Sequence, residues 1–267
     1  MTDLEGSISA ARATWNRKTV GSQRSNSEAG TLEYFEQIRA YRYGYETPFI
    51  QSFFQFSEIS GQRVLEIGVG QGIDGVEMAR NGALYSGIDV TEAHLNLTRQ
   101  NFANHTLPLT LFHGDLLRTD VGAPYDVVYS FGVIHHISAE EEYLRHVRAN
   151  VLKPGGRLMI AVYSKYSVFN AYMIATWLLK GRSCRLDDWR SQVAELSEPG
   201  SPVTIKIRSR REVQRMLERC GFTVERYAKR GFVQAYVPIV GKRLSPNGAV
   251  LTALGSLLGW YHCFICR

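Results

Sequence analysis

The sequence has only four cysteines, at positions 184, 220, 263 and 266, too few and too widely spaced for a disulfide framework. A chain of 267 residues is long enough to bury a full core without such cross-links. Cys263 and Cys266 form half of a zinc motif, but no second C-x-x-C and no paired histidines accompany them. We therefore expect no metal and interpret both as small apolar side chains in or beside a final strand over 260–265.

Long apolar runs are also missing, so no segment is long enough to cross a bilayer as a helix. The first thirty residues lack the apolar stretch of a signal peptide, which predicts a loose arm over 1–30 and, with the unpaired cysteines, a cytoplasmic location. The most apolar segments are Val168–Leu179 and Ala249–Trp260. Burial in the core is the ordinary interpretation, and contact with an apolar substrate or a membrane surface stays open.

The charge balance does not favour one class of macromolecular partner. The formal net charge is +6, with Lys and Arg scattered and only modestly enriched over 180–230. A solvated basic face explains this surplus better than nucleic-acid binding does. A hydrophobic fraction of 45% with 21% charged residues is that of an ordinary globular protein.

The most informative stretch runs from Arg63 to Asp89. The apolar run 64–67 predicts a buried parallel strand, which breaks at once into a glycine loop. Helical spacing over 73–80 ends at Asn81-Gly82, and a second apolar run over 84–88 ends in Asp89. The pattern predicts a βαβ unit with an acid at the tip of its second strand.

Such a unit is typical of nucleoside binding. The glycines allow a ligand to approach the backbone N–H groups, and Asp89, seventeen residues after Gly72, is placed to bind ribose hydroxyls. Dinucleotides and S-adenosylmethionine both suit this geometry. A dinucleotide fingerprint is G-x-G-x-x-G, whereas this loop is E-x-G-x-G-x-G, and the Glu66 carboxylate would repel a pyrophosphate and attract a cation.

The segment from Glu66 to Gly72 is similar to the first motif of class I S-adenosylmethionine-dependent methyltransferases. The resemblance implies that Glu66 contacts the methionine end of the cofactor and that Asp89 holds the ribose. It also implies that Asp115 accepts from the adenine amino group while Leu116 packs beside the ring. The full set of cofactor residues that it implies is Arg42, Glu66, Gly68, Gly70, Gly72, Asp89, Val90, Asp115, Leu116, Ser130 and Phe131.

Residues 31–60 combine helical periodicity with a run of tyrosines around Gly44. In this family the segment before the first strand commonly covers the cofactor pocket as a lid. The resemblance implies that Arg42 meets the methionine carboxylate and that Tyr43 or Tyr45 lines the acceptor pocket. An amphipathic helix packed on the sheet is the alternative, and a hydrophobic helix over 49–56 is expected to follow.

Two histidines follow the predicted fourth strand over 125–130. Ligands of open α/β sheets bind at the carboxyl ends of strands, where Gly132-Val-Ile-His135-His136 stands. Ser138 and Glu141 form a capping-box pattern that would start a helix just after them. Near a helix start an imidazole tends to stay neutral, as a base requires, so His135 and His136 are catalytic candidates. Tyr43, in the segment over 31–60, is the third candidate. Either histidine would otherwise only shape the pocket.

The remaining sequence predicts the rest of an α/β fold. A Pro-Gly-Gly turn precedes strand five, an insertion follows over about 165–208, and the capping box of Ser209 and Glu212 opens a helix that ends at Gly221. Strand six over 222–228 and an antiparallel seventh strand complete the sheet. We predict a Rossmann-like seven-stranded sheet, six strands parallel and one antiparallel, with helices on both faces, a lid over 31–60 and a core over 61–267.

The function that the resemblance implies is S-adenosylmethionine-dependent methyl transfer to a small molecule, as in the methyltransferases often grouped as type 11. O-methylation is slightly preferred, because a histidine base suits a hydroxyl acceptor. C- or N-methylation of a quinone, terpenoid or amine remains open, as do an RNA or protein acceptor, a nicotinamide reductase, and a cofactor-binding protein that has lost catalysis. The oligomeric state is not predicted.

Overall fold

Seven strands form one sheet in the computed structural model, which describes Thr19, residues 21–179 and residues 206–267. The strands are β1 (Arg63–Ile67), β2 (Leu84–Asp89), β3 (Thr110–His113), β4 (Tyr125–Phe131), β5 (Leu152–Tyr163), β6 (Val224–Arg230) and β7 (Tyr261–Cys266). Their order is β3-β2-β1-β4-β5-β7-β6, and β7 is antiparallel to both of its neighbours. The predicted sheet of six parallel strands and one antiparallel strand is confirmed.

The helices of the described residues surround this sheet. They are α1 (Leu32–Tyr41), α2 (Ile50–Phe53), α3 (Ile73–Arg80), α4 (Glu92–Asn104), α5 (Glu140–His146), α6 (Val168–Leu179), α7 (Arg210–Arg219) and α8 (Ala249–Leu258). Two segments of π-helix continue α1 over Arg42–Glu46 and α5 over Val147–Val151. None of the helices in the described part of the chain combines the length and hydropathy needed to cross a membrane.

Two apolar clusters cover the two faces of the sheet, as the alternation of side chains along a strand requires. In β1, Val64 faces the cluster that contains α2, α3 and Phe102 of α4, while Leu65 faces the cluster that contains α5 and α7. Both side chains are fully buried. Helices therefore pack on both faces, which leaves the carboxyl ends of the central strands to form the site.

The C-x-x-C pair lies in β7, within the antiparallel end of the sheet. Residues three apart on a strand point to opposite faces. Cys263 accordingly packs in the cluster of α2 and α3 and Cys266 in that of α5 and α7, both fully buried. The interpretation as small apolar side chains in the sheet is confirmed, and the two sulfur atoms do not converge on a common ligand.

Two local predictions are wrong. The helix expected over 49–56 is a single turn over Ile50–Phe53, because Gln55 adopts a left-handed conformation with φ of 56° and breaks it. The capping box of Ser138 and Glu141 does not form: α5 starts after Ala139 without a side-chain cap, and the Glu141 carboxylate accepts from Arg145 and Arg219 instead. The box of Ser209 and Glu212 at the start of α7 is confirmed.

Parts of three predictions fall outside the described residues. They are most of the arm expected over 1–30, the portion of the insertion from 180 to 205, and the environment of Cys184. The portion of the insertion that is described begins with α6, and the chain returns to β5 at Arg208, which forms a bridge with Ser164.

We expect Gly75→Ala to destabilise the fold. An added methyl group on α3 would lie 2.6 Å from the Cζ and Oη atoms of Tyr85, whose ring is buried and stacked on Phe102 at 5.0 Å. Overpacking of this kind costs about 1–3 kcal/mol, only partly offset by the roughly 1 kcal/mol gain in helix propensity. Denaturant unfolding should show a lower midpoint. Gly44→Ala is the control, since no atom lies within 4 Å of its added carbon, and an equal loss there would contradict the packing argument.

Candidate active site

The glycine loop and the end of β2 meet at the Asp89 carboxylate. The Gly70 N–H donates to Asp89 Oδ2 at 3.3 Å and the Thr91 N–H donates to Oδ1 at 2.9 Å, while His94 Nδ1 lies 3.3 Å from Oδ2. Asp89 is 7% exposed. These contacts aim a largely buried carboxylate across the loop of Gly68, Gly70 and Gly72, with Val90 beside it.

The loop itself needs glycine. Gly68 has φ of 76°, and a Cβ atom there would lie 2.3 Å from Val133 Cγ2, so no side chain fits between β1 and the turn after β4. Gly70 also has a positive φ, of 54°, but no atom lies within 4 Å of its would-be Cβ. The space above Gly70 is therefore open to a ligand that approaches the backbone closely.

Glu66 lies in β1 directly below this loop and is 4% exposed. Its Oε2 accepts a hydrogen bond of 2.6 Å from the Tyr85 hydroxyl, the one hydrogen bond that Glu66 makes by its side chain with the residues that the structure describes. Burial raises the pKa of Glu66 well above its ordinary value, and the carboxylates of Asp74 and Asp89 raise it further. A cation beside Glu66 would reverse this effect, as the predicted contact with the methionine end of a cofactor requires.

Asp74 was not identified from the sequence, yet it is the most connected acid of the site. It occupies the first turn of α3 and is 3% exposed. Arg42 donates to both oxygens, through Nε to Oδ1 at 2.7 Å and through Nη2 to Oδ2, and the hydroxyls of Tyr43 and Tyr129 each donate at 2.7 Å. Burial would raise the pKa of Asp74, but the Arg42 guanidinium and these hydrogen bonds hold it below its ordinary value.

This network connects residues 31–60, the segment predicted as a lid, to α3, the helix that follows the glycine loop. Arg42 Nη1 makes no hydrogen bond with the described residues, and the guanidinium carbon lies 4.9 Å from the centre of the Phe131 ring. The predicted contact of Arg42 with the methionine carboxylate of the cofactor stays a prediction. The N–H groups of Nη1 are the donors that could make this contact. Tyr43 is committed to Asp74 rather than placed beside the histidines. The sequence signal that could have revealed the Arg42–Asp74 pair is an acid in the first turn of the helix that follows the glycine loop.

The adenine end of the predicted site lies at Asp115, after β3. Asp115 Oδ1 accepts from the Leu117 N–H at 3.3 Å, whereas the buried Oδ2 has no hydrogen-bond partner in the structure. Leu116 is 1% exposed. Burial raises the pKa of Tyr143, and the charges of both Asp115 and Asp89 raise it further. The roles of the two acids toward the nucleoside stay predictions.

At the end of β4 the two predicted cofactor residues play different parts. The Ser130 hydroxyl is buried and lies 3.4 Å from the Ile67 carbonyl, so it ties β4 to β1. Phe131 is half-buried, and the Arg42 guanidinium lies over its ring. Its ring centre lies 4.8 Å from that of Tyr261 at the start of β7.

His135 lies in a short 3₁₀ turn after β4 and is fully buried. Within the described part of the chain neither ring nitrogen has a hydrogen-bond partner, and the ring packs on Tyr163 at 4.0 Å and on His136 at 4.3 Å. Burial holds the pKa of His135 well below its ordinary value, and the charges of His136 and Arg208 lower it further. His135 is therefore neutral at pH 7. His136 is half-buried and closer to the surface.

The described end of the insertion, residues 206–208, is hydrogen-bonded to the turn that carries this histidine. The Lys206 N–H donates to the His135 carbonyl at 3.0 Å, and Lys206 Nζ donates to the carbonyls of Ile137 and Ser138 at 3.0 and 2.6 Å. Arg208 pairs with both oxygens of Glu140, whose side chain is 2% exposed. These contacts fasten residues 206–208 to the histidine turn and to α5.

Aromatic rings continue from the cofactor side to His135, along the carboxyl ends of β4 and β5 and the start of β7. Tyr163 stacks on Trp260 at 4.4 Å and lies 5.7 Å from Tyr261, which in turn contacts Phe131 and Phe49. We call Phe131, Tyr163, Trp260 and Tyr261 the aromatic wall. Among the described residues, no group of three or more His, Cys, Asp or Glu is placed to hold a metal ion.

The arrangement fits a sulfonium nucleoside in three respects: the open approach above Gly70, the unpartnered Oδ2 of Asp115, and the surplus of carboxylates around the loop.

Residues 36–227 match the model of a family described as a methyltransferase domain. The chain is also similar to solved structures. It aligns over 97% of its length with 98% of magnesium protoporphyrin IX methyltransferase from Synechocystis with bound S-adenosylhomocysteine, at a TM-score of 0.60 and 13% identity.

Curated relatives match a shorter region. A ubiquinone biosynthesis O-methyltransferase of Maricaulis maris is 31% identical over 130 residues, which are 45% of this chain and 50% of the relative. A demethylmenaquinone methyltransferase of Tropheryma whipplei is 34% identical over 108 residues, which are 39% and 43% of the two chains. The chain thus spans about half the length of the curated relatives it matches. The predicted family and cofactor, S-adenosylmethionine, are confirmed.

Replacing Asp89 with alanine should weaken S-adenosylhomocysteine binding by about 100-fold or more, because hydrogen bonds to a charged group contribute roughly 1.5–3 kcal/mol each. Titration calorimetry measures this loss, and circular dichroism checks that the variant is folded. Glu142→Ala, on the exposed side of α5, is the control and should bind as the unaltered chain does. Equal affinity in all three proteins would contradict the assignment of Asp89.

Glu66→Gln should stabilise the ligand-free protein while weakening the cofactor. The folded-state pKa of Glu66 is raised, so its contribution to stability is fully present below the unfolded-state pKa and is lost as pH rises through the folded-state pKa. A neutral glutamine avoids that loss of stability, and its side-chain oxygen still accepts a hydrogen bond from the Tyr85 hydroxyl. We expect a Tm advantage that grows from pH 5 to pH 8 and reaches about 2–4 °C, equivalent to about 1 kcal/mol.

Thermal melts over that pH range test the Glu66 prediction, with Glu142→Gln as the control for removing one carboxylate. S-adenosylhomocysteine affinity should fall in Glu66→Gln and stay unchanged in the control. A Tm difference independent of pH would show that the Glu66 carboxyl does not titrate in the predicted sense.

Proposed function

The chain belongs to the methyltransferase-domain family, and from that premise we propose that it transfers the methyl group of S-adenosylmethionine to an oxygen atom of a small aromatic or apolar acceptor. When bound, the cofactor supplies a methyl group activated by a positively charged sulfur. The protein's own residues have to hold the nucleoside, align the acceptor and exclude water. O-methylation and the acceptor class are the parts that remain proposals.

The residues that would hold the nucleoside are spread along the carboxyl ends of β1, β2 and β3. Asp89 is placed for the ribose, Asp115 Oδ2 for the adenine amino group, and Glu66 with Arg42 Nη1 for the ammonium and carboxylate of the methionine end. Each of these groups has the charge or the unfilled hydrogen-bonding capacity that its assigned partner needs. Burial of the carboxylates strengthens their attraction for a cation.

The observation that carries oxygen transfer is His135, a buried imidazole whose two nitrogens have no hydrogen-bond partner among the described residues. A buried polar atom without a partner costs about 1–3 kcal/mol, and an acceptor hydroxyl would satisfy it. Because its pKa is depressed, His135 is neutral at pH 7 and can accept a hydrogen bond from that hydroxyl. An amine acceptor needs no such base, since proximity suffices for it.

The same low pKa makes His135 a weak base toward a free hydroxyl. The acidity of the acceptor proton, however, rises steeply as its oxygen gains a methyl group and positive charge. A weak base in the right place therefore suffices, because it takes the proton as the new bond forms. His136 is the alternative acceptor of the proton, since it lies 4.3 Å away by ring centres and is less buried.

The aromatic wall supports a flat, apolar acceptor. Its rings would stack on such a molecule and hold its hydroxyl toward His135. The names of two relatives, in ubiquinone biosynthesis and demethylmenaquinone methylation, support a quinone-like ring, on which C-methylation is the alternative. An RNA or protein acceptor receives no support from these contacts.

We propose that two segments cover the site, one before the sheet and one after β5. Residues 31–60 act as a lid, since Arg42 and Tyr43 fasten that segment above the glycine loop, and about 165–208 acts as a substrate cover within the 61–267 core. The predicted peripheral contact with a membrane stays a prediction, for which α6 and α8 offer exposed Tyr172, Leu179 and Leu257. A cytoplasmic location is proposed on the sequence argument alone.

His135→Gln should lower methyl transfer to phenols and hydroxyquinones by about 10²–10⁴-fold, the usual contribution of a positioned general base. S-adenosylhomocysteine affinity should not change, because His135 lies outside the nucleoside contacts. A panel of such acceptors with radiolabelled cofactor measures the transfer. For the unaltered chain the rate should be flat from pH 6 to pH 8, because the imidazole is already neutral there.

His136→Gln is the matched control for His135→Gln. A large loss in His136→Gln with none in His135→Gln would move the base to the neighbouring ring. Transfer that survives in both variants would contradict a histidine base altogether, and failure of the unaltered chain to methylate any panel member would reject oxygen transfer to this class.

A further inference from the structure

One carboxylate beside the histidine turn is buried outside the proposed nucleoside contacts. Glu140 lies in the first turn of α5, and its side chain is 2% exposed. Its ion-pair partners among the described residues are Lys206 and Arg208. We call residues 206–208 the strap. A carboxylate is costly to bury unless it is paired, so the burial of Glu140 depends on the cations of the strap.

Both cations of the strap reach the same carboxylate. Arg208 donates to both oxygens of Glu140, through Nη1 to Oε1 at 2.6 Å and through Nη2 to Oε2. Lys206 Nζ lies 3.3 Å from Oε2 and also donates to the carbonyls of Ile137 and Ser138. A bidentate pair with further hydrogen bonds has the geometry that a buried ion pair requires. Glu140 and the strap therefore form one unit.

The backbone of the strap lies between two elements of the proposed acceptor site. The Lys206 N–H donates to the His135 carbonyl at 3.0 Å. At the other end of the strap, the Lys165 N–H donates to the Arg208 carbonyl at 2.9 Å, and Arg208 forms a bridge with Ser164. The strap therefore joins the histidine turn to the end of β5.

The middle residue of the strap faces the aromatic wall. Ile207 is 5% exposed and belongs to a cluster with Met173 and Trp260, against which Tyr163 also packs. Alternation of side chains along an extended segment explains why its two neighbours reach α5 while Ile207 reaches the rings. The strap thus contacts the wall on one side and the turn that carries His135 on the other.

We infer that Glu140 is a positioning residue for methyl transfer. Through its two cations it holds the strap, and the strap holds His135 and the aromatic wall in the arrangement that the acceptor needs. This inference rests on the proposed function, because that function places the acceptor between His135 and the wall. Glu140 acts through the strap and not on the reacting atoms, yet a displacement of about 1 Å at those atoms can cost about 100-fold in rate.

Hydrogen exchange of single amides, followed by NMR on the full chain saturated with S-adenosylhomocysteine, tests the hold on the strap. In Glu140→Gln the amides of Lys206 and Lys165 should exchange about tenfold faster, because local opening becomes easier once the charge of the pair is lost. The Gly68 amide, which donates to the Ile88 carbonyl at 2.8 Å, is the internal reference and should keep its rate. Unchanged exchange, or equal acceleration of all three amides, would overturn the inference.

A second variant keeps the test decisive if Glu140→Gln folds poorly. Arg208→Lys keeps the charge but loses the bidentate contact, and it should speed the exchange of the same two amides by about three- to tenfold. Glu141→Gln is the matched control, because Glu141 is the next residue on α5 and pairs with Arg145 and Arg219, outside the strap. Equal acceleration in Arg208→Lys and in this control would reject the assignment of Glu140.

Kinetics with a methylated member of the acceptor panel tests the positioning role. Glu140→Gln should lower kcat/KM for the acceptor by about 10–100-fold, and Arg208→Lys by less. S-adenosylhomocysteine affinity should not change, because the proposed nucleoside contacts lie outside the strap. A loss of nucleoside affinity as large as the loss of transfer would show a general structural role and overturn the inference.

The two measurements separate this inference from the proposed function. Faster exchange of the strap amides in a chain that methylates no panel member retains the hold of Glu140 on the strap and rejects oxygen transfer. Methyl transfer at an unchanged rate in Glu140→Gln retains the proposed function and rejects Glu140 as a positioning residue.

Discussion

The bidentate pair of Arg42 with Asp74 is the interaction on which the site depends. It joins the lid, which precedes the sheet in the chain, to the helix that follows the glycine loop. Tyr43 and Tyr129 complete the coordination of the carboxylate, so one acid connects the lid, α3 and β4. A buried pair of this kind is maintained only with good geometry and additional hydrogen bonds, and both are present here.

That pair also separates the behaviour of two neighbouring acids. Asp74 keeps its charge because Arg42 lies against it, whereas Glu66, which has only a tyrosine hydroxyl, is driven toward its neutral form by burial and by the Asp74 charge. The site therefore contains one compensated carboxylate that fixes the lid and one uncompensated carboxylate below the loop. The structural role of Asp74 and the ligand-binding role that we propose for Glu66 thus belong to acids eight residues apart in the sequence.

The sequence predicts the fold well because local patterns determine it: buried strands, glycine turns and the acid at the tip of β2 all lie where their spacing indicates. The nucleoside contacts that we propose for Asp89 and Asp115 rest on the same patterns. Asp74 could not be found this way, since its role arises from residues over thirty positions away in the chain. The helix predicted over 49–56 from apolar periodicity ends early at the left-handed Gln55. Apolar periodicity does not report the backbone conformation of a single polar residue, so this break has no signal in the sequence.

The raised pKa of Glu66 has a consequence for how the cofactor comes and goes. In the contact that we propose, a cationic ligand lowers the raised pKa of Glu66, so that between the two pKa values each binding event releases a fraction of a proton to the surrounding buffer. The heat of binding then depends on the ionisation enthalpy of that buffer. Departure of the demethylated nucleoside requires the reverse uptake, which couples turnover of the site to the proton concentration around it.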